Sequence, residues 1–419
     1  MSLFRPVFAG LIAVFALAGA GQTAPDRQAG PPPASGELRG LWVLRSTLAS
    51  PAAIDQMVRS ASEAGINALF VQVRARGDAY YASALEPRGS LLAKQPASFD
   101  PLAAVIRAAQ ARGLAVHAWV NVGLVSDAIG LPVAPSHLIR RHPEWLMVPR
   151  ELAAYAARAR ARDAGYVNTL ARWTRANTAK VEGLYVSPVP REARVHAMAL
   201  VRDLAKRYEL DGVHLDYVRY PHDGFDYSAA ALAEFRASMV GEIDAAELAS
   251  LDARARTSPT LFADRYPQRW DAFRRGRVTA LVAGLADAAR QARPGILVSA
   301  AVLPDPAAAV SVKLQDWPDW AARGLIDALC PMAYAEDRPV FTAQVDAVHR
   351  AAGSVPVWTG IGAYRLTATE TASRVREARR AGSAGVLLFS YDSVSAGRGG
   401  ARYLADVGRA VFPALIPQP

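Results

Sequence analysis

Eight short apolar runs, each followed by a helical segment, alternate in one unbroken order from residue 38 almost to the C-terminus. The runs cover residues 39–44, 68–73, 115–120, 212–215, 297–302, 328–333, 355–360 and 385–389. Parallel strands joined by crossover helices build layered α/β folds, and eight such units in sequence predict a closed (β/α)8 TIM barrel. The runs are continuously apolar, the pattern of strands covered on both faces. A doubly wound open sheet is the rival architecture, but no glycine-rich phosphate loop follows the first run.

Helix signals agree with this frame. Ser50-Pro51 and Asp100-Pro101 each pair a capping side chain with a proline at the first helical position, and Gly113 closes the second helix. Further helices are expected at 151–162, 312–323, 340–352, 369–381 and about 399–411. Two large insertions follow the third and fourth strands. In a barrel they lie on the face where loops build substrate clefts.

Composition narrows the class. A hydrophobic fraction of 52% over 419 residues supplies a large core. The formal net charge is +10, yet only Lys94, Lys180, Lys206 and Lys313 are lysines. The arginines are scattered along helices, and no zinc-finger, Walker or RNA-binding motif occurs, so no nucleic-acid partner is expected. The single cysteine, Cys330, forms no intrachain disulfide. Residues 1–20 read as an export signal, with Arg5, an apolar run at 7–17 and the small residues Ala18-Gly19-Ala20. The run is shorter than the ~20 residues of a spanning helix, and no cysteine marks a lipid anchor. The expectation is a periplasmic or secreted protein with no stable membrane insertion after the signal is removed. Residues 21–36 form a Pro/Gly-rich lead-in, and 37–413 the barrel domain.

The carboxyl end of each barrel strand faces the active site. The fourth run ends at Asp216, with Tyr217, Arg219 and Tyr220 directly after it. Other strand ends contribute Trp42, Arg74, His117, Trp119, Asn121, Asp305, Tyr334, Glu336, Asp337, Trp358 and Asp392. Carboxylates among aromatic rings suit a sugar: rings stack on pyranose faces while acids handle the glycosidic oxygen and anomeric carbon. The histidines are dispersed, so no metal or other cofactor is expected, and a metal-dependent deacetylase lacks its cluster. His214, two residues before Asp216, reads as an interior histidine orienting it.

Several motifs carry a family resemblance: Arg39-Gly40-Leu41-Trp42-Val43, Phe99-Asp100-Pro101-Leu102, Val116-His117-Ala118-Trp119-Val120-Asn121, His142-Pro143-Glu144-Trp145, Asp211-Gly212-Val213-His214-Leu215-Asp216-Tyr217 and Pro331-Met332-Ala333-Tyr334. In order and spacing they resemble bacterial glycoside-hydrolase-like family 10. The resemblance implies a barrel in the cell envelope, and at least one member hydrolyses peptidoglycan strands stripped of peptides. It places Asp216 at the family's acidic strand-four position, where Tyr217 replaces the second aspartate of the family pair. The Asp-Gly-x-x-x-Asp run with Met332-Ala333-Tyr334 is also similar to family-18 chitinases, but Val218 stands where those enzymes carry their acid.

The sequence therefore predicts a secreted glycoside hydrolase acting on a polysaccharide, with amino-sugar glycan foremost. Asp216 is nucleophile or acid/base, and Glu336, Asp337 or Asp392 supplies the second carboxylate. Trp42, Arg74, His117, Trp119, Asn121, His214, Tyr217, Arg219, Tyr334 and Trp358 bind substrate or tune Asp216. The competing expectation is a catalytically silent glycan-binding barrel. The oligomeric state is not legible.

Overall fold

The computed structural model describes residues 36–163, 165–397, 399–400 and 402–412. The expected export signal and nearly all of the lead-in lie outside them. Eight parallel strands close into a barrel: β1 (Leu38–Val43), β2 (Ala68–Arg74), β3 (Ala115–Asn121), β4 (Gly212–Asp216), β5 (Leu297–Val302), β6 (Ala328–Ala333), β7 (Trp358–Ile361) and β8 (Gly385–Leu388). Each pairs with the next in sequence. The ring closes where Leu38 and Leu41 of β1 lie opposite Gly385 and Leu388 of β8. An antiparallel ribbon, Leu124–Ser126 with Leu184–Tyr185, belongs to the insertion after β3.

The strands are apolar on both faces, but the two faces differ in kind. Leu41, Val43, Leu69, Val71, Val116, Ala118, Val213 and Leu215 pack outward in the layer between barrel and helices. Inward lie Trp42, Phe70, Trp119, Cys330 and Trp358, together with the buried polar groups His117, His214 and Ser299. The inner positions thus alternate with the aliphatic ones and carry an aromatic, hydrogen-bonded filling. Gly212 makes this packing possible, because a Cβ there would sit 2.1 Å from Nδ1 of His117. His117 in turn stacks on Phe70 with ring centroids 4.3 Å apart.

The caps read from sequence are in place. Ser50 accepts from the Ala53 N–H at 3.3 Å and Asp100 from the Ala103 N–H at 3.1 Å. Each such cap contributes about 1 kcal/mol.

Three expectations are corrected. The helix expected at 151–162 is a 3-10 turn at Arg150–Leu152 and a single α-turn at Ala153–Ala156, followed by a helix at Tyr166–Ala176. Alanine content favours a helix there, but a segment that short needs a packed apolar face. The helix expected at 312–323 is two short ones, Pro306–Ser311 and Trp317–Ala322. Leu314 between them has φ 50°, and Pro318 supplies no N–H to continue a helix from before it. The seventh strand starts at Trp358 rather than 355. Pro356 cannot donate to the ladder, so the strand begins after it, which puts Trp358 at the entry end of the barrel.

Candidate active site

β4 delivers Asp216 to the mouth of the barrel. The residue is 6% exposed, and both carboxyl oxygens accept hydrogen bonds. Trp119 Nε1, from β3, donates to Oδ2 at 3.1 Å, and the Tyr217 N–H donates to Oδ1 at 2.7 Å. Burial pushes the Asp216 carboxyl above the usual aspartate range. Arg219, the Tyr217 N–H and Trp119 pull against that rise, while the charge of Glu182 adds to it. The net shift is upward, the direction a general acid requires.

The chain turns sharply beyond Asp216. Tyr217 has φ 55°, a left-handed conformation unusual for a bulky residue. The exit of β3 clasps it: Val122 N–H donates to the Asp216 carbonyl at 2.7 Å, and Gly123 N–H to the Tyr217 carbonyl at 3.2 Å. A Cβ on Gly123 would meet that second carbonyl oxygen at 2.6 Å. This turn brings Arg219 back over the Tyr217 ring, 4.6 Å from its centroid. The Arg219 side chain is only 7% exposed, and its Nη2 pairs with Glu182 Oε1 at 3.1 Å. Tyr185 hydroxyl donates to Glu182 Oε2 at 2.7 Å.

Glu182 is the residue that sequence reasoning missed. It lies in the insertion after β3, just before the ribbon strand Leu184–Tyr185, with its side chain 39% exposed. Partial burial works to raise its pKa, but Arg219 and the Tyr185 hydroxyl, helped by Lys313, hold the carboxyl below the usual glutamate range. Arg219 thus pairs with Glu182 and acts on Asp216 through its charge, and the two carboxyl pKa values are pushed apart. Such divergence is the pattern of an acid and an ionised partner. The available signal was a lone acid between Val181 and Gly183-Leu184 on the loop-bearing face.

Tyr334, at the exit of β6, is the other ring of the mouth. Burial and the Asp216 charge push its hydroxyl pKa well up. It lies 5.4 Å from Phe389 and 6.4 Å from Trp42, centroid to centroid. Trp42 and His214 support this layer from below: Trp42 Nε1 donates to His214 Nε2 at 3.1 Å, and Nδ1 of His214 meets Ser299 Oγ at 2.9 Å. Burial, with His117 nearby, lowers the His214 pKa to about 3, so it is a neutral imidazole. His214 therefore braces Trp42 and makes no hydrogen bond to Asp216 itself.

The remaining sequence candidates stand elsewhere. Asp337 caps the helix Arg338–Ala351, accepting from Val340 N–H at 2.9 Å. Asp305 caps Pro306–Ser311 in the same way. Asp392 accepts from Leu44 N–H at 2.7 Å, Ser46 Oγ at 2.6 Å and Thr47 Oγ1 at 2.7 Å, tying the last barrel loop to the first. Glu336 points outward, 64% exposed, with Arg365 at 3.6 Å. None of the three proposed second carboxylates joins Asp216. Arg74 is committed to buried Glu86 through a bidentate pair at 2.7 and 2.6 Å, and to the Asn121 and Val122 carbonyls. Asn121 returns a bond to the Ala75 carbonyl at 2.9 Å. These two tie β2 to β3 rather than reach a ligand. His117 and Trp358 fill the barrel interior, their rings 5.8 Å apart edge to face.

A closed parallel barrel with a buried acid at the end of β4, framed by rings and an ion pair, defines a glycoside-hydrolase-like TIM-barrel protein. The sequence profile of the family described as glycosyl hydrolase-like 10 matches residues 37–371, and the chain belongs to that family. It is 29% identical over 164 residues to a protein of Bacillus subtilis (strain 168) named glycosyl hydrolase YngK, a match covering 38% of this chain and 26% of that protein. The chain therefore spans about a quarter of that curated relative. Among solved structures, the glycoside hydrolase domain of PgaB (BpsB) from Bordetella bronchiseptica superposes with TM-score 0.61 at 17% identity, over 89% of this chain and 99% of that one. The β-galactosidase Gan42B of G. stearothermophilus gives TM-score 0.59 at 16% identity, over 90% of this chain and 57% of that one. At such identities the likeness is one of fold.

Proposed function

We propose that the protein hydrolyses O-glycosidic bonds in a cell-envelope or extracellular polysaccharide, with the amino-sugar strands of peptidoglycan as the foremost substrate. The observation that carries this reading is the pairing at the mouth: a buried Asp216 with a raised pKa, coupled through Arg219 to an ionised Glu182. Asp216 donates its proton to the glycosidic oxygen as the bond to the anomeric carbon breaks. Glu182 is the second carboxylate, stabilising positive charge on the ring or activating the water that completes hydrolysis. Tyr217 and Tyr334 flank the scissile sugar. Membership of a glycoside-hydrolase-like family supports the reaction class, and the resemblance noted from sequence supports the glycan. The charged N-terminus and apolar run at 7–17 support export to the periplasm or beyond.

The test incubates the mature protein and Asp216→Asn with peptide-free peptidoglycan strands and reads products by mass spectrometry. Fragments from wild type alone are expected. A second reading, a glycan-binding barrel without turnover, draws on the engagement of both Glu182 oxygens by Arg219 and Tyr185. Strand binding without fragments, unaltered in Asp216→Asn, would replace the hydrolase with that reading.

A further inference from the structure

A concavity opens on the active-site face. Its volume is about 580 Å³, within the ~300–1,000 Å³ range of ligand pockets, and its lining includes Arg150, Lys180, His222, Asp223 and Lys313. These residues come from the insertions after β3 and β4 and from the segment beyond β5, all on the exit side of the barrel. Lys180 lies two residues before Glu182, and His222 six residues after Asp216.

The cleft is electropositive, and its cations are poorly neutralised. Some arginines elsewhere on the surface carry carboxylate partners, such as Arg236 with Asp252 and Arg277 with Glu234. Two of the four lysines of the chain stand in this cleft instead, and among the described residues neither has a carboxylate ion pair within 4 Å. Lys313 Nζ donates to the Pro221 carbonyl. Its pKa is lowered by burial and by Arg219, against the opposing pull of Glu182. Nε2 of His222 is buried without a partner. Arg150 is the exception, held by Asp264 at 2.6 Å. The one acid of the lining, Asp223, is 68% exposed and sits 3.6 Å from His222. Lys313 joins this cleft to the catalytic pair, since it lines the one and shares the field of the other.

We propose that this cleft is a subsite for a carboxylate-bearing sugar of the substrate strand, beside the sugar cleaved at Asp216. The inference rests on the glycosidase reading for its neighbour but is tested by binding alone. Ammonium groups on flexible stems suit a carboxylate whose position varies along a strand, and attraction between exposed charges weakens with salt. Sugar carboxylates occur on muramic acid and on hexuronic acids, and both enter the test.

Calorimetric titrations use Asp216→Asn, which preserves side-chain shape and blocks turnover. The ligands are muramic-acid-containing strands, the same strands with carboxyls reduced to alcohols, and hexuronate oligomers. The muramic strand is expected to bind roughly tenfold tighter than its reduced form at low salt, with the preference shrinking at high salt. The exposed-site variant Lys180→Glu, on the same background, is expected to abolish that preference. Tight binding of hexuronate instead would keep the carboxylate subsite and reassign its source. Equal binding of native and reduced strands with no affinity for hexuronate, or a preference untouched by Lys180→Glu, would overturn the proposal. Cleavage by wild type without carboxylate preference would overturn the subsite and leave the hydrolase. Carboxylate-dependent binding without cleavage would do the reverse.

Discussion

Trp119→Phe isolates the hydrogen bond that tunes Asp216. The indole Nε1 donates to Oδ2 at 3.1 Å, and a bond to an ionised group is worth ~1.5–3 kcal/mol. Because the donor favours the carboxylate, its removal raises the Asp216 pKa further. At 1.36 kcal/mol per unit, the shift is roughly one to two units upward. Phenylalanine keeps a ring near His214 and Phe389, which lie 6.4 and 6.3 Å from the indole. With Asp216 as the proton donor, the alkaline limb of the kcat profile moves up by that amount, because the acid stays protonated to higher pH. The assay is a pH–rate series on peptide-free strands for both proteins. A raised folded-state pKa also means that Asp216 favours the fold most below the ordinary aspartate value of ~3.9, and that this contribution is lost as pH rises through the folded value. The variant should therefore lose more stability relative to wild type at neutral pH than at pH 3. An alkaline limb that stays in place, or moves down, would refute the proton-donor role.

Other expectations follow from the same geometry. Glu182→Gln removes the charge that raises the Asp216 pKa; the alkaline limb should move to lower pH and kcat should fall by roughly 10²–10⁴, and unchanged kinetics would remove Glu182 from the site. Glu86, fully buried against Arg74 and near His196, has its pKa lowered to about 2 from 4.5, because these partners overcome the cost of burial. At pH 7 that shift corresponds to about 3 kcal/mol of stability, which disappears as pH falls from the ordinary glutamate range toward the folded value. Urea unfolding of Glu86→Gln should show this deficit at pH 7 and little of it near pH 2; a deficit constant with pH would point to packing instead. Asp337→Ala should lower stability by about 1 kcal/mol through loss of the helix cap and leave kcat unchanged, whereas lost activity would return Asp337 to the catalytic list.

Much of this architecture was written in local pattern. The strand and helix alternation, the Ser50-Pro51 and Asp100-Pro101 caps, and the position of Asp216 at the end of β4 are short-range features, and short-range physics decides them. Asp305-Pro306 and Asp337-Arg338-Pro339 carry similar capping signatures, yet their place at strand ends put both among the expected site residues, and the structure makes them caps. Other features depend on closure of the ring. The inward filling of Trp42, His117, Trp119, His214 and Trp358 resembles an ordinary apolar run until the barrel assigns alternate residues to opposite faces. Trp358 was displaced to the floor because Pro356 delays the start of β7. Glu182 escaped the sequence reading for a different reason. It lies in an insertion, 34 residues before Asp216, and tertiary contacts through Arg219 and Tyr185, with the left-handed turn at Tyr217, join the two.

In the proposed hydrolysis Asp216 gives a proton to the departing sugar oxygen, and this step decides the rest. Wild type and Asp216→Asn are compared on natural strands and on an aryl glycoside whose phenolate needs no protonation. A loss of roughly 10²–10⁴ is expected on strands and a far smaller loss on the aryl substrate. Equal losses on both, or none on either, would contradict it.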